Sequence, residues 1–269
     1  MATVDTVFSG SIPSLYDSYL GPLIFETYAQ DLADRMSALN AERVLETAAG
    51  TGIVTRALDR SLPPGVSIVA TDLNQPMLDH AAERISSSRV SWQKADAQAL
   101  PFPDGAFDAV VCQFGVMFFP DKQKAYREAR RVLKPGGHLI FNVWDKLEYN
   151  EFADLVTAAV ADMFATDPPR FLARAPYGYH QQQAVIAELR SAGFIHVAVE
   201  TLTRRSAASS CRDPAIGFCQ GTPLGSEIAA RDATRLAEAT EAAASRISAR
   251  FGNGPVDGMM QAHVFTARR

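Results

Sequence analysis

The 269-residue sequence lacks the features of a secreted, membrane-spanning or zinc-binding protein. Its three cysteines, Cys112, Cys211 and Cys219, form no C-x-x-C pair, so neither a disulfide framework nor a metal site is expected. No apolar run approaches the length of a membrane span, and the first residues lack the basic-then-apolar order of a signal peptide. These absences predict a cytoplasmic protein without a bound metal.

Basic residues are not in excess, since the formal net charge is −4. The densest basic cluster, between Lys122 and Lys134, lies on one predicted helix, where its last members are close to the negative end of the helix dipole. A nucleic-acid surface would need a broader basic footprint. We therefore expect a small-molecule partner and no nucleic acid, while a homodimer stays open.

The sequence does contain a glycine-rich turn between an apolar strand and an amphipathic helix. Residues 43–54 read R-V-L-E-T-A-A-G-T-G-I-V, and apolar residues continue at helical spacing from Ile53 to Leu62. Gly50 and Gly52 allow positive φ and leave no Cβ between the main chain and a ligand. The pattern predicts a loop that holds a flat or extended cofactor.

Several nucleotide-binding loops share this layout of strand, turn and helix. A phosphate-binding loop would have Lys-Ser or Lys-Thr after its last glycine, where this chain has Ile53 and Val54. A dinucleotide fingerprint counted from Gly50 would end on glycine or alanine, where this chain has Thr55. The sequence therefore fits neither the phosphate-binding nor the dinucleotide pattern well. The remaining pattern is an acid, Glu46, followed by small residues at alternate positions.

Two further acids follow predicted strands. Asp72 ends the apolar run at 66–71 and lies 20 positions after Gly52 (72 − 52), which suits hydrogen bonds to ribose hydroxyls. Asp96 ends an alternating segment and precedes Ala97. Its carboxylate could bind the exocyclic amine of adenine, with the Ala97 N–H on a ring nitrogen, or it could cap a turn. The two earlier motifs favour the adenine interpretation.

Strand and helix patterns alternate along the first 145 residues. Three strand–helix repeats are followed by two further strands, a nearly continuous apolar run over 107–113 and another over 139–144. A continuous apolar run is expected for a parallel strand covered on both faces. This order predicts an α/β fold with a doubly wound, mostly parallel sheet, in one domain over residues 1–269.

Five segments in this part of the chain resemble, in order, the motifs of class I S-adenosylmethionine-dependent methyltransferases: V-L-E-T-A-A-G-T-G, A-T-D-L-N-Q-P-M-L, K-A-D-A-Q-A-L-P-F, F-D-A-V-V-C-Q-F-G and R-V-L-K-P-G-G. The resemblance is closest to the ubiquinone and menaquinone C-methyltransferases and covers residues 16–145. Ala48 stands where the class I motif usually has its first glycine. The resemblance implies a Rossmann-like sheet of seven strands, the last two at 196–203 and 260–267, with the seventh antiparallel.

The resemblance also implies roles for individual residues in binding S-adenosylmethionine. Glu46 and the backbone around Ala48 and Gly50, in the loop that Gly52 closes, would hold the methionine portion. The other implied contacts are Asp72 with the ribose hydroxyls, Leu73 and Met77 with adenine, Asp96 and Ala97 with the adenine edge, and Gln113 and Phe114 with the sulfonium. Tyr19, before the first predicted helix, could fold across the cofactor or could be a core aromatic.

Ligands of open parallel sheets bind beyond the carboxyl ends of the strands, so later segments should cover the substrate. Residues 16–145 are the predicted cofactor-binding core. The insertions 145–192 and 203–258 are the predicted helical lid, with one long helix over 226–251. Because the insertions are rich in aromatic residues and poor in charge clusters, they fit a pocket for an apolar or aromatic acceptor or a small satellite core.

A sulfonium methyl group is already activated, so the predicted enzyme mainly aligns an acceptor in line with it at about 3 Å and excludes water. A general base is needed only for an acceptor that must lose a proton. The other histidines fit that role badly by position, which leaves His180, beside Tyr177, as the catalytic candidates, although a lone histidine is more often structural. Two alternatives stay open: a non-catalytic S-adenosylmethionine-binding scaffold or regulator, and a nicotinamide oxidoreductase, which Thr55 and Asp96 disfavour.

Overall fold

The computed structural model describes residues 12–269, so residues 1–11 of the predicted single domain lie outside the described part. The chain forms two compact units. The sheet unit consists of Glu26–Val143, His180–Leu202 and Ala262–Arg269, and the insertion unit consists of residues 12–25, Trp144–Tyr179 and Thr203–Gln261. The predicted single domain, with a core and two lid insertions, stays a prediction.

A seven-stranded sheet is formed by β1 (Arg43–Thr47), β2 (Ser67–Asp72), β3 (Val90–Lys94), β4 (Phe107–Gln113), β5 (Leu133–Trp144), β6 (Ile195–Ala208) and β7 (Val256–Arg268). Its strand order is β3-β2-β1-β4-β5-β7-β6. Parallel pairing joins β1 to β2 and to β4, β2 to β3, and β4 to β5. In β4 every side chain except Asp108 and Gln113 is buried, as its continuous apolar run predicts.

β7 runs antiparallel to β5. Near the start of β5, the Gly137 carbonyl accepts a hydrogen bond from the Arg269 N–H, which directly follows β7. Just past the end of β5, the Asp145 N–H donates to the carbonyl of Gln261, early in β7. Residue numbers therefore rise along one strand as they fall along the other. The predicted doubly wound, mostly parallel sheet with an antiparallel seventh strand is confirmed.

Along the chain, the helices precede the strands or lie between them. They are α1 (Ile12–Leu15), α2 (Glu26–Ser37), α3 (Ile53–Ser61), α4 (Gln75–Arg84), α5 (Lys122–Val132), α6 (Glu151–Met163), α7 (Phe171–Arg174), α8 (Gln182–Ser191), α9 (Arg212–Gln220), α10 (Leu224–Arg231) and α11 (Leu236–Phe251). A π-helical segment, Tyr16–Phe25, precedes α2 and contains Tyr19, which the sequence placed before the first predicted helix. Over residues 12–269 we find no helix with both the length and the apolar character that a membrane crossing requires.

α2 carries the apolar face that packs in the sheet unit. Its side chains Tyr28, Leu32 and Met36, spaced four residues apart, are fully buried. The Tyr28 hydroxyl finds a partner in the carbonyl of Leu202, 3.0 Å away. Within this buried stripe, the Tyr28 ring contacts the ring of Phe114, the residue that follows β4. Tyr28 therefore packs beside the carboxyl end of β4 with its hydroxyl hydrogen-bonded.

The single helix predicted over 226–251 is wrong, because α10 and α11 are separate helices. Between them, one carboxylate oxygen of Asp232 accepts from the N–H and the hydroxyl of Thr234, at 2.9 and 2.7 Å. The Arg235 N–H then bonds back to the Asp232 carbonyl. This local turn competes with helical hydrogen bonding. The alanine-rich sequence on both sides favours helix and hid the break.

Four of the eight aromatic side chains of the insertions are buried within the insertion unit. Phe152, Phe171 and Tyr177 are at most 3% exposed, and the Tyr177 ring lies 5.8 Å from that of Trp144. For these residues the satellite-core interpretation is correct. Tyr149 differs, since 39% of its surface is exposed. An aromatic side chain with that much free surface is available to contact a ligand.

Candidate functional site

The turn after β1 is bonded to the end of β2. The Ala49 N–H donates to the Thr71 carbonyl and the Gly50 N–H to the Asp72 carboxylate, both at 2.9 Å. The other carboxylate oxygen of Asp72 accepts from the N–H and the side-chain amide of Asn74, at 2.8 and 3.3 Å. Asp72 therefore fixes both the glycine-rich turn and the start of α4.

Both glycines of the turn have positive φ, but only one has open space beside it. At Gly50 (φ +56°) a Cβ would meet no atom within 4 Å. At Gly52 (φ +78°) a Cβ would lie 2.8 Å from Ile85 Cδ1 and 3.1 Å from the Trp92 ring. The missing side chain of Gly52 makes room for core packing. The open face that the sequence analysis expected at both glycines exists at Gly50 only.

We expect Gly52→Ala to lower the free energy of unfolding more than Gly50→Ala. Both changes place a Cβ in left-handed backbone, which costs about 1–2 kcal/mol. Gly52→Ala adds overpacking against Ile85 and Trp92, typically about 1–3 kcal/mol more. Denaturant unfolding of the two variants measures the difference. Equal losses would contradict the assignment of Gly52 to packing.

Two buried carboxylates lie at the ends of β1 and β2. Glu46 is 2% exposed, and burial raises its pKa to about 8, against the hydrogen bond from the Thr55 hydroxyl at 2.6 Å. Burial also raises the pKa of Asp72, against the N–H bonds from Asn74 and Gly50, and the Asp72 charge adds to the shift at Glu46. Because a nearby cation favours ionised carboxylates, this end of the sheet suits a positively charged ligand.

Asp96 and Ala97 follow β3 in a tight turn. One carboxylate oxygen of Asp96 accepts from the Gln98 N–H at 2.8 Å, and the Gln98 side-chain amide lies 3.1 and 3.4 Å from the two oxygens. Asp96 thus has the turn-capping role that the sequence left open. Ala97 lines a cavity of about 20 Å³ together with Thr47 and Cys112. The turn therefore lies beside the ends of β1 and β4.

The end of β4 places Gln113 and Phe114 at the same edge of the sheet. Gln113 is half-buried and lies opposite Asn142 of β5. Phe114 is buried and has φ +49°, and its ring meets the Tyr28 ring edge-on at a centroid distance of 5.4 Å. The ends of β1, β2 and β4 thus bring together most of the residues expected to bind a cofactor.

The two residues expected to contact adenine differ in exposure. Leu73, directly after Asp72, is 40% exposed, which leaves apolar surface available to a flat ring. Met77 is buried on the inner face of α4 and belongs to the core. Tyr19, in the insertion unit, is half-buried in the π-helical segment beside Gly217.

The two catalytic candidates belong to different units. Tyr177 is buried in the insertion unit, and His180 is half-buried just before α8 in the sheet unit. Their catalytic roles stay predictions. His263 is 2% exposed, with its Nδ1 atom 3.0 Å from the Thr201 hydroxyl, which is the bonding of a structural histidine.

Sequence reasoning missed two residues that hold this site together. Thr55, which entered only as evidence against a dinucleotide loop, donates its hydroxyl to Glu46. Asn142 is fully buried, and its Oδ1 atom accepts from the Phe114 N–H at 2.9 Å. Asn142 interrupts the apolar run L-I-F-N-V-W of β5. Since a buried polar side chain needs a partner, that interruption was the available signal.

The ubiE/COQ5 methyltransferase family model matches residues 2–211, well over half of the chain. The chain belongs to the ubiE/COQ5 methyltransferase family. This family member is similar to the ubiquinone/menaquinone biosynthesis C-methyltransferase UbiE of Yersinia enterocolitica, with 33% identity over 175 residues, which is 60% of this chain and 70% of the relative. The family that the sequence motifs resembled is confirmed.

Solved structures support the fold of this methyltransferase. One is a putative methyltransferase of Bacillus halodurans, with a TM-score of 0.56 and 21% identity, covering 89% of this chain and 97% of that one. Another is phosphoethanolamine N-methyltransferase 2 of Haemonchus contortus in complex with S-adenosyl-L-methionine. Its TM-score is 0.62 at 16% identity, covering 96% of this chain and 56% of that one. Both share the class I methyltransferase architecture.

The protein is therefore an S-adenosylmethionine-dependent methyltransferase, and the predicted enzyme class and cofactor are confirmed. The scaffold and oxidoreductase alternatives are not favoured. Three features of the sheet unit fit the cofactor: the open face of Gly50, the exposed side chain of Leu73, and the buried carboxylates of Glu46 and Asp72. The individual contacts remain predictions.

Proposed function

We propose that this methyltransferase transfers the methyl group of S-adenosylmethionine to a small, apolar or aromatic acceptor. The observation that carries the cofactor site is the pair of buried carboxylates, Glu46 and Asp72, beside the open face of Gly50. For the acceptor, the name of the Yersinia relative, a C-methyltransferase of ubiquinone and menaquinone biosynthesis, supports a carbon atom of a quinone precursor. The exposed aromatic surface of Tyr149 supports the same chemical class.

We assign the cofactor contacts as follows. Glu46 and the backbone of Ala48 and Gly50 hold the methionine portion, Asp72 the ribose, Leu73 the adenine face, Asp96 and Ala97 the adenine edge, and Gln113 and Phe114 border the sulfonium. Gly52 and Met77 support these contacts from the core, because both are packed against neighbouring side chains. For Tyr19 the two roles that the sequence left open, covering the cofactor or packing as a core aromatic, both stay predictions.

Methyl transfer from this cofactor requires of the protein mainly that it align the acceptor. When bound, the cofactor supplies a methyl group that needs no further activation. The chain then has to hold the acceptor in line with that group at about 3 Å and to exclude water. For an acceptor that must lose a proton, we propose His180 as general base, with Tyr177 as the second catalytic candidate. An acceptor with its own lone pair needs neither residue.

Calorimetric titration with S-adenosylmethionine, S-adenosylhomocysteine and NADH tests the cofactor site. We expect micromolar binding of the first two ligands and none of NADH. Methyl-release assays with phenols, quinols and, as controls, small charged amines then test the acceptor class. Turnover confined to the amines would contradict the proposed apolar or aromatic acceptor, and binding of NADH alone would contradict the assigned contacts from Glu46 onward.

We also propose a cytoplasmic location, supported by the three free cysteines, Cys112, Cys211 and Cys219. The net charge of −4 and the narrow basic cluster of the sequence support the proposal that no nucleic acid is bound. A homodimer stays a prediction, which light scattering of the purified protein would test.

A further inference from the structure

Two residues at the cofactor edge have a backbone conformation that residues with a side chain rarely adopt. Ala48 has φ +54° and Phe114 has φ +49°. They directly follow the ends of β1 and β4, which are hydrogen-bonded neighbours in the sheet. Left-handed backbone is unfavourable for any residue with a Cβ, so the surrounding structure must hold both residues in place.

Gly115 makes room for the side chain of Ala48. A Cβ on Gly115 would lie 2.4 Å from the Cβ of Ala48 and 2.8 Å from the Sγ of Cys112. Gly115 has φ −96°, which any residue can adopt, so its backbone does not require glycine. What requires glycine at this position is the space that the methyl group of Ala48 and the Sγ atom of Cys112 occupy, and the approach to Ala48 is the closer of the two.

Asn142 holds Phe114 in its left-handed conformation. The Phe114 N–H points at both oxygens of Asn142, 2.9 Å from Oδ1 and 3.3 Å from the main-chain carbonyl. Asn142 is fully buried, and its Nδ2 atom has no hydrogen-bond partner within residues 12–269. A buried donor without a partner is unfavourable. The hydrogen bond that Oδ1 accepts from Phe114 is therefore the reason for a buried asparagine at this position.

The two contacts are linked because Gly115 directly follows Phe114. The contact between Gly115 and Ala48 joins the turn after β4 to the turn after β1. A displacement of either turn must then be accommodated by the other, since close-packed groups transmit strain. The backbone on both sides of the proposed methyl-transfer position is thus set by one contiguous group of residues.

We propose that Gly115 and Asn142 are positioning residues for methyl transfer. Gly115 acts by admitting the Ala48 side chain, and Asn142 acts by fixing the Phe114 backbone. The inference rests on the proposed function, in which Ala48 borders the methionine portion of the cofactor and Phe114 borders the sulfonium.

A double-mutant cycle on Ala48 and Gly115 tests the first part. Gly115→Ala should raise the Kd for S-adenosylmethionine about tenfold or more, measured by calorimetry well below the unfolding temperature. Ala48→Gly alone supplies the second single variant of the cycle, because it removes the methyl group that lies against Gly115. The double variant should recover most of the lost affinity, because it removes the closer of the two clashes. The remaining contact with Cys112 keeps the recovery incomplete.

The readout separates positioning from stability. If the double variant binds as weakly as Gly115→Ala, the proposal is overturned. Coupling in the melting temperature without coupling in the Kd would mark a purely structural pair and would overturn it too. Should Gly115→Ala fail to fold, a folded double variant with a Kd within about tenfold of the wild type supports the pair, and one that binds more weakly rejects it. Gly65→Ala is the matched control, since a Cβ there meets no atom within 4 Å.

Two variants of Asn142 test the second part. Asn142→Leu keeps the branched shape and removes the Oδ1 acceptor for the Phe114 N–H, and we expect it to raise the Kd for S-adenosylmethionine about fivefold or more. Asn142→Asp keeps an oxygen toward that N–H and should lie closer to the wild type. Equal Kd values for the two variants, or no change in either, would reject Asn142 as a positioning residue.

The outcomes also separate this proposal from the proposed function. If the wild-type protein does not bind S-adenosylmethionine, the assigned cofactor site fails as a whole. If the wild type binds it and the cycle on Ala48 and Gly115 is additive, only the positioning proposal fails.

Discussion

Asp72→Ala is expected to weaken S-adenosylmethionine binding by at least about 3 kcal/mol, which is more than a hundredfold in Kd. The change removes the proposed contact with the ribose hydroxyls. It also leaves the N–H groups of Gly50 and Asn74 without the carboxylate that accepts from both. The glycine-rich turn and the start of α4 therefore lose their shared anchor. Calorimetric titration measures the loss.

A matched substitution removes the same charge from the surface. Asp79 is an exposed residue of α4, and its carboxylate accepts a hydrogen bond from the side-chain amide of Gln75. Asp79→Ala should leave the Kd unchanged. Asp72→Asn retains one acceptor oxygen and should fall between the wild type and Asp72→Ala. An unchanged Kd in Asp72→Ala would remove Asp72 from the proposed ribose contact.

Glu46→Gln is expected to stabilise the protein at alkaline pH. In the folded protein the pKa of Glu46 is raised from an ordinary value of 4.5 to about 8 by burial, so folding favours its protonated form. That contribution is fully present below pH 4.5 and is lost as the pH rises through 8. Glutamine resembles the protonated acid at every pH. The difference in free energy of unfolding should therefore shift in favour of the variant by on the order of 4 kcal/mol between pH 5 and pH 9.

Denaturant unfolding of both proteins at a series of pH values measures this shift, with Glu83→Gln on the exposed side of α4 as the control. Parallel curves for the wild type and Glu46→Gln would show that the pKa of Glu46 is not raised. The same substitution should weaken S-adenosylmethionine binding, because the variant cannot present a negative charge to the cationic methionine portion. Wild-type binding below pH 8 is expected to release a proton from Glu46, because the cationic ligand favours the ionised carboxylate, and Glu46→Gln should not show this release.

The sequence was sufficient to predict the architecture and the acids of the site. Apolar runs alternate along the chain with glycine-containing turns, which predicts the strands. In a parallel sheet the carboxyl ends of neighbouring strands meet at one edge, so Glu46 and Asp72 lie at the same edge regardless of the side chains between them. The two acids could therefore be identified from order and spacing alone. Their electrostatic coupling follows from the pairing of β1 with β2.

Tertiary packing determined what the sequence could not predict. Gly50 and Gly52 have the same local pattern, and only the positions of Ile85 and Trp92 distinguish an open glycine from a packed one. The role of Asn142 depends on its hydrogen bond from Phe114, which is 28 residues away in sequence. Contacts of this kind depend on how separate segments meet, and no local propensity encodes them.

The place of β7 in the sheet has a consequence for how the protein folds. β7 lies between β5 and β6, although residues 145–255 separate it from β5 in sequence. Until residues 256–268 have been synthesised and inserted, both neighbours present unpaired edges, which other chains can pair with. Completion of the sheet also has to wait for a contact of very long sequence separation, a property of slow-folding topologies. Newly made chains should thus be most prone to aggregate just before this strand docks, and a peptide with the sequence of β7 should compete for the same gap.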